Sequence, residues 1–172
     1  MTATRFDVAG YRDFFGQLPT GVTVVVAGSP ASPVGLVVGT FASVSLDPPL
    51  VCFMVRTGSR SYQAVQEIGR FTANILASDQ HQLSSSLAGW APDKFRDVVL
   101  DDHDGGALIV HDSLAWADCV IDREIEAGDH LIVLARPLEL TVARKGARPL
   151  VFSQRAYHRT LRVEDTRAPG WI

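Results

Sequence analysis

Residues 22–27 read VTVVVA, and residues 28–33, GSPASP, follow them directly. β-Branched residues favour extended backbone, and a cluster of Gly, Ser and Pro is typical of a turn. Residues 34–40 continue as a second strand-like segment. The sequence therefore predicts two neighbouring strands joined by a turn.

Four further apolar segments have the same strand-like character, and loops with Pro, Gly or Asp separate them. They are residues 50–55 (LVCFMV), 71–76 (FTANIL), 116–126 and 130–142. Helical spacing occurs in residues 11–18, 61–68 and 80–88, with Ser59 and either Ser78 or Asp79 as candidate caps. Long apolar strands with few helices to cover them favour a closed barrel, so we expect a mainly β fold with peripheral helices.

Composition limits the possible functions. A chain of 172 residues suits one domain, which we expect over residues 1–161, with a polar tail at 162–172 that is frayed or packs on a partner subunit. The net charge of −3 and the scattered basic residues argue against nucleic-acid binding. Without an apolar segment of membrane-spanning length or a signal peptide, we expect no membrane partner and a cytoplasmic location.

Cysteine and histidine spacing gives no sign of a metal site. Cys52 and Cys119 lie far apart inside apolar runs, which favours buried free thiols. The five histidines lack zinc-ligand spacing, so we expect no bound metal.

Residues 38–50, VGTFASVSLDPPL, place small and hydroxyl side chains together. Small side chains let backbone N–H groups approach a flat ligand, and hydroxyls can donate to its acceptor atoms. A polar strand end followed by a tight turn explains the same residues, and composition does not decide between the two.

A second cluster, residues 56–61 (RTGSRS), precedes the predicted helix at 61–68. A helix N-terminus attracts anions, and arginine donates paired hydrogen bonds to phosphate, so the cluster predicts a phosphate site. An ordinary solvated helix cap is the other interpretation. The chain has neither GxGxxG nor a P-loop.

Residues 126–130 (EAGDH) read as a hairpin turn that would place Asp129 and His130 at the mouth of a barrel. His130 there could contact a cofactor, or it could be a surface histidine. No Ser, Cys or carboxylate arrangement in the sequence suggests a hydrolytic site.

Over roughly residues 14–157 the chain resembles the flavin reductase-like family of FMN-binding split barrels, the short-chain reductase components of two-component flavin-dependent monooxygenases. The matching segments are LPTGVTVV at 18–25, PVG at 33–35, TFASVSLDPPLV at 40–51, SRSYQAV at 59–65, GRFTANIL at 69–76, DKF at 93–95, AGDH at 127–130 and Tyr157. Eight ordered matches are far more specific than any one of them.

The resemblance implies a homodimer of six-stranded Greek-key split β-barrels of the FMN-binding type, with the flavin near the subunit interface. The candidate cofactor-binding residues are Val38, Gly39, Thr40, Ser43, Val44, Ser45, Arg56, Ser59, Arg60, Ser61, Asn74, Lys94, Phe95 and Tyr157. The phosphate would lie near Ser59 and Ser61. Where relatives often read NSF, this chain reads Gly39-Thr40-Phe41, which removes one possible hydrogen bond to the flavin ring.

The implied activity is hydride transfer from NADH or NADPH to FMN or FAD, with reduced flavin passing to a partner monooxygenase. His130, the candidate catalytic residue, would help to place the nicotinamide. A non-catalytic flavin carrier or sensor on the same barrel is one alternative. A pyridoxamine-phosphate-oxidase-like or haem-handling split barrel is another.

Overall fold

A computed structural model describes residues 5–89, 91 and 93–161, and the predicted tail at 162–172 lies outside them. The elements in chain order are α1 (Val8–Gly16), β1 (Thr20–Gly21), β2 (Thr23–Ser29), β3 (Ser32–Val38), β4 (Ala42–Leu46), β5 (Pro49–Arg56), α2 (Arg60–Ile68), β6 (Arg70–Ile75), α3 (His81–Leu87), β7 (Leu100–His103), β8 (Ala107–Val110), β9 (Ala115–Ala127), β10 (His130–Val142), β11 (Leu150–Ser153) and β12 (Ala156–Arg159). Within this part of the chain, the helices are too short or too polar to cross a membrane.

The main sheet is antiparallel and has the strand order β3-β2-β6-β9-β10-β5-β4. All six predicted strands lie in it, and β4 is a seventh strand that the sequence did not indicate. Two smaller sheets, β1-β11-β12 and β7-β8, complete the strands of the described residues.

The main sheet curls around one apolar core. Leu36 on β3 and Phe53 on β5 belong to the same buried cluster, although four strands separate β3 from β5 in the sheet. Strands so far apart can share a core only if the sheet bends into a barrel. Because β3 and β4 end the sheet without pairing to each other in the described residues, the barrel is split.

The β2–β3 pair approaches closely at Gly35. A Cβ atom on this residue would lie 2.0 Å from the carbonyl oxygen of Val25 and 3.1 Å from the ring of Phe95. The contact with the backbone oxygen excludes a side chain at position 35, and the ring would also have to shift slightly, so glycine allows the two strands to pack this closely. Phe95 is buried in a second apolar cluster, which includes Val24 and Val26 on β2.

Two helix starts differ from the prediction. Helix α1 begins at Val8 because Asp7 caps it, the carboxylate accepting a 2.7 Å hydrogen bond from the Gly10 N–H. Gln80 precedes α3 without a side-chain cap, so the prediction of Ser78 or Asp79 was wrong. Asp79 instead accepts a hydrogen bond of 2.8 Å from Arg144.

Candidate functional site

A cavity of about 840 Å³ opens where β1, the end of β3, the start of α2 and the end of α3 meet. It is lined by Thr20, Gly21, Val22, Leu36, Val37, Val38, Gly39, Arg56, Thr57, Gly58, Ser59, Arg60, Ser61, Ser84, Leu87, Ala88, Gly89, Phe152 and Tyr157. This described lining contains two arginines and several hydroxyls but no carboxylate. It therefore favours an anionic ligand.

The first turn of α2 forms one wall. Ser59 is the N-cap, as the sequence predicted, and its hydroxyl accepts a 3.4 Å hydrogen bond from the Tyr62 N–H. Arg60 and Ser61 follow it along the cavity. Because the first N–H groups of a helix lack partners within it, this wall offers donors and a partial positive charge to an anion.

Lys94 lies outside the lining and contacts this wall from the side away from the cavity. Its ammonium donates to the Ser61 hydroxyl at 3.2 Å and to the Gly89 carbonyl at 3.1 Å. Both partners are neutral and both line the cavity, while no carboxylate contacts Lys94 within the described residues. Burial lowers the pKa of Lys94, since the charged form is partly desolvated. A half-buried cation without a counter-charge matches the anion that the lining favours.

The β9–β10 turn lies beside the cavity. The Thr57 N–H donates to the Asp129 carbonyl at 3.0 Å, and His130 faces the cavity residue Arg56 across the β10–β5 pair. His130 Nδ1 lies 2.8 Å from the Asp129 carboxylate, and this hydrogen bond lowers the pKa of Asp129. The predicted hairpin turn is confirmed, and it brings the AGDH and RTGSRS segments together.

The segment at 38–45 divides between two places. Val38 and Gly39 line the cavity, and a Cβ atom on Gly39 would lie 2.8 Å from the Thr20 hydroxyl oxygen. The Thr40 hydroxyl accepts from the Met54 N–H at 2.8 Å and lies 3.2 Å from the Met54 carbonyl, so it is already bonded to β5.

Besides Thr40, Lys94 and His130, five more candidate residues lie outside the lining: Ser43, Val44 and Ser45 on the edge strand β4, together with Asn74 and Phe95. Asn74 is fully buried, and its side-chain oxygen accepts a 2.9 Å hydrogen bond from the Val110 N–H. Its amide nitrogen lies 3.3 Å from the Leu108 carbonyl. Asn74 thus joins β6 to β8, and the geometry gives it no contact with the cavity.

Tyr157 lines the cavity, as expected from the resemblance, and its hydroxyl shares a 2.9 Å hydrogen bond with Ser84. Thr20, Ser84 and Phe152 were not predicted. They lie on the short strands β1 and β11 and on α3, and they reach the cavity through packing and pairing between distant segments. In a single sequence their sole signal is that Thr20 belongs to the matching LPTG segment at residues 18–21.

Residues 15–161 match the family described as flavin reductase like domain. The chain belongs to the flavin reductase-like family. One relative, from Mycobacterium tuberculosis, is HsaB, the reductase subunit of a flavin-dependent monooxygenase. HsaB is 34% identical over 170 residues, which cover 98% of this chain and 90% of that protein.

Two more comparisons support the same family. A Rhizobium meliloti protein with the name "Probable flavin reductase" is 41% identical over 137 residues, but the aligned region is 44% of that protein's length. The Streptomyces globisporus NADH:FAD oxidoreductase SgcE6, solved with NAD and FAD fragments, is 30% identical with a TM-score of 0.85. That match covers 96% of this chain and 99% of the other.

Membership of the flavin reductase-like family confirms the predicted mainly β split-barrel fold. It also confirms the prediction of an oxidoreductase that uses a flavin and a reduced nicotinamide. The role of each site residue stays a prediction.

Proposed function

We propose that the cavity holds FMN or FAD, with a flavin phosphate against the first turn of α2 and Lys94. The supporting observation is the Lys94 ammonium, which has neutral partners in Ser61 and Gly89 and lies behind a wall without carboxylates. The cavity volume of about 840 Å³ suits a ligand of this size. The bound flavin supplies the hydride-accepting ring.

The residues of the chain bind and orient. Val38 and Gly39 present small side chains and backbone to one part of the cavity, and Tyr157 and Phe152 present aromatic rings to another. Arg56 and His130 lie side by side where β5 ends and β10 begins, and there they would align NADH or NADPH. Alignment of two reactants is a large part of what such a site contributes, and no acid or nucleophile from the chain is required.

Relatives such as the reductase subunit HsaB support a further part of the proposal, namely that reduced flavin passes to a monooxygenase component.

We also propose a homodimer. Met54, Ile132 and Ile125 are neighbours across β5, β10 and β9, and the flanking two are each 45% exposed. Such an apolar row on the outside of a sheet fits a second copy of the chain.

The activity is tested by steady-state oxidation of NADH with free FMN or FAD. A flavin carrier would bind flavin in the same experiment but would leave NADH unoxidised.

The phosphate placement is tested with Ser59→Ala combined with Ser61→Ala. Each lost hydrogen bond to a charged group is worth about 1.5–3 kcal/mol, so the FMN dissociation constant should rise by about tenfold or more. Fluorescence titration measures it, with riboflavin, which lacks the phosphate, as the control ligand. Unchanged FMN affinity would rule out this placement.

A further inference from the structure

Helix α2 is attached to the barrel by a carboxylate that lies away from the cavity. The Tyr62 hydroxyl donates to one oxygen of Glu124 on β9, and the Gln66 amide donates to the other oxygen at 2.8 Å. Tyr62 and Gln66 are four residues apart and therefore lie on the same helix face. One carboxylate thus holds α2 at two points along its length.

The aromatic ring of Tyr62 fixes the same face. Tyr62 is 2% exposed, and its ring meets Phe53 edge to face with centroids 5.8 Å apart. Burial, followed by the hydrogen bond to Glu124, raises the pKa of Tyr62, so the phenol stays protonated and remains a donor.

This attachment continues directly into the cavity wall. Tyr62 follows Ser61 in the chain, and its N–H donates to the Ser59 carbonyl at 3.1 Å as well as to the Ser59 hydroxyl. Any rotation of α2 about its axis would therefore move the hydroxyls of Ser59 and Ser61.

We propose that Tyr62, Gln66 and Glu124 are positioning residues that set the rotation of α2, so that its first turn meets the flavin phosphate. The inference rests on the proposed phosphate placement. Ring packing alone holds Tyr62 in the core, whereas the two hydrogen bonds to Glu124 specify the angle at which the helix lies.

Tyr62→Phe and Glu124→Gln test this proposal. The first keeps the ring and removes the hydroxyl, and the second keeps the shape but replaces one acceptor oxygen with a donor. Each variant should raise the FMN dissociation constant by about fivefold, because hydrogen bonds to a charged group weaken steeply when misaligned. Riboflavin has no phosphate, so its dissociation constant should change by less than about twofold.

Asp118→Asn is the matched control. Asp118 is a buried carboxylate on the same strand, β9, and it binds Arg70 at 2.6 and 2.9 Å, with no bond to α2. This variant should lower the melting temperature while leaving the ratio of riboflavin to FMN dissociation constants at the wild-type value.

The outcomes separate the two proposals. If Tyr62→Phe and Glu124→Gln keep the wild-type ratio while Ser59→Ala with Ser61→Ala lowers it, the positioning role is overturned and the phosphate placement stands. If wild-type protein binds riboflavin as tightly as FMN, both fail. A ratio lowered equally by Asp118→Asn would show general destabilisation and would also overturn the positioning role.

Discussion

Lys94 places a positive charge next to the cavity. Its ammonium loses part of its hydration, because it is half-buried between Ser61 and Gly89. In the flavin-free protein the lowered pKa means that the unfolded chain binds more protons between that pKa and the ordinary value of 10.5. The free energy of unfolding should therefore rise with pH in this window. A bound phosphate favours the protonated form and opposes the shift.

The first prediction follows from this charge. FMN should bind most tightly at pH values below the lowered pKa of Lys94, where the side chain is protonated. The affinity should fall as the pH rises through this pKa, since the neutral amine no longer attracts phosphate. Titrations of FMN at several pH values check this. Lys94→Met should bind FMN weakly without this pH dependence, whereas Lys94→Arg should extend tight binding to higher pH. A wild-type profile in Lys94→Met would contradict the prediction.

His130 gives the second residue-scale prediction. If it aligns the nicotinamide, His130→Ala should bind flavin nearly normally, but NADH should reduce the bound flavin about tenfold more slowly at subsaturating NADH. Rapid mixing followed by flavin absorbance measures the rate. Part of the loss should return at high NADH concentration if the contact mainly serves binding. Wild-type rates throughout would identify His130 as a surface residue of the turn.

At this scale the sequence predicted some local positions and missed others. Ser59 was correctly identified as a helix cap because its neighbours in the chain determine that role. The Thr40 hydroxyl suggested a ligand donor, yet it bonds to Met54, a partner that depends on which strand lies alongside. Local chemistry is readable from the sequence, but a hydroxyl's partner across a sheet is not.

Among the elements, the β7–β8 hairpin depends on buried polar links to β6. Asn74 and Thr72 on β6 accept hydrogen bonds from the N–H groups of Val110 and Leu108 on β8, at 2.9 and 3.1 Å. These side chains replace the backbone pairing that β8 lacks on this side, so their contribution is to stability.

Asn74→Ala should therefore cost about 1–3 kcal/mol in the free energy of unfolding, because it leaves the Val110 N–H buried and unpaired. Urea denaturation measures the loss, and the FMN dissociation constant should not change. Thr72→Val, which removes the acceptor of the neighbouring link, is the matched control. Weaker FMN binding at unchanged stability would instead place Asn74 in the cofactor site, as the family resemblance implied.

The strands that sequence analysis found are those with continuous apolar runs. The strand β4 reads ASVSL, in which serine alternates with apolar residues at the edge of the sheet, and that pattern also fits a loop. The strands β1, β11 and β12 have two to four residues each, too few to show a period. Because Thr20 and Gly21 on β1 and Phe152 on β11 line the cavity, this part of its wall could not be predicted from strand patterns in the sequence.

For the whole molecule, the apolar row of Met54, Ile132 and Ile125, in which the outer two residues are exposed and Ile132 is half-buried, leads to a prediction about assembly. Light scattering should give about twice the chain mass of 18.6 kDa. Ile132→Lys should shift this value toward the monomer, because an ammonium would be buried in the interface. Val99→Lys, at an exposed apolar position outside the row, should leave the mass unchanged. A wild-type monomer with full reductase activity would contradict the proposal.

The hairpin of β9 and β10 also bears on how the chain folds. Its strands have 13 residues each, and Gly128 and Asp129 join them, with Gly128 at a positive φ of 66°. Closing so short a loop costs little chain entropy, whereas the pairing of β5 with β10 must wait for a loop of more than 70 residues. A refolding chain can therefore form this hairpin early, as it can the β2–β3 hairpin, whose strands are also joined by two residues. Two requirements would therefore limit natural substitutions at Gly128 and Asp129, namely the refolding rate and the position of His130.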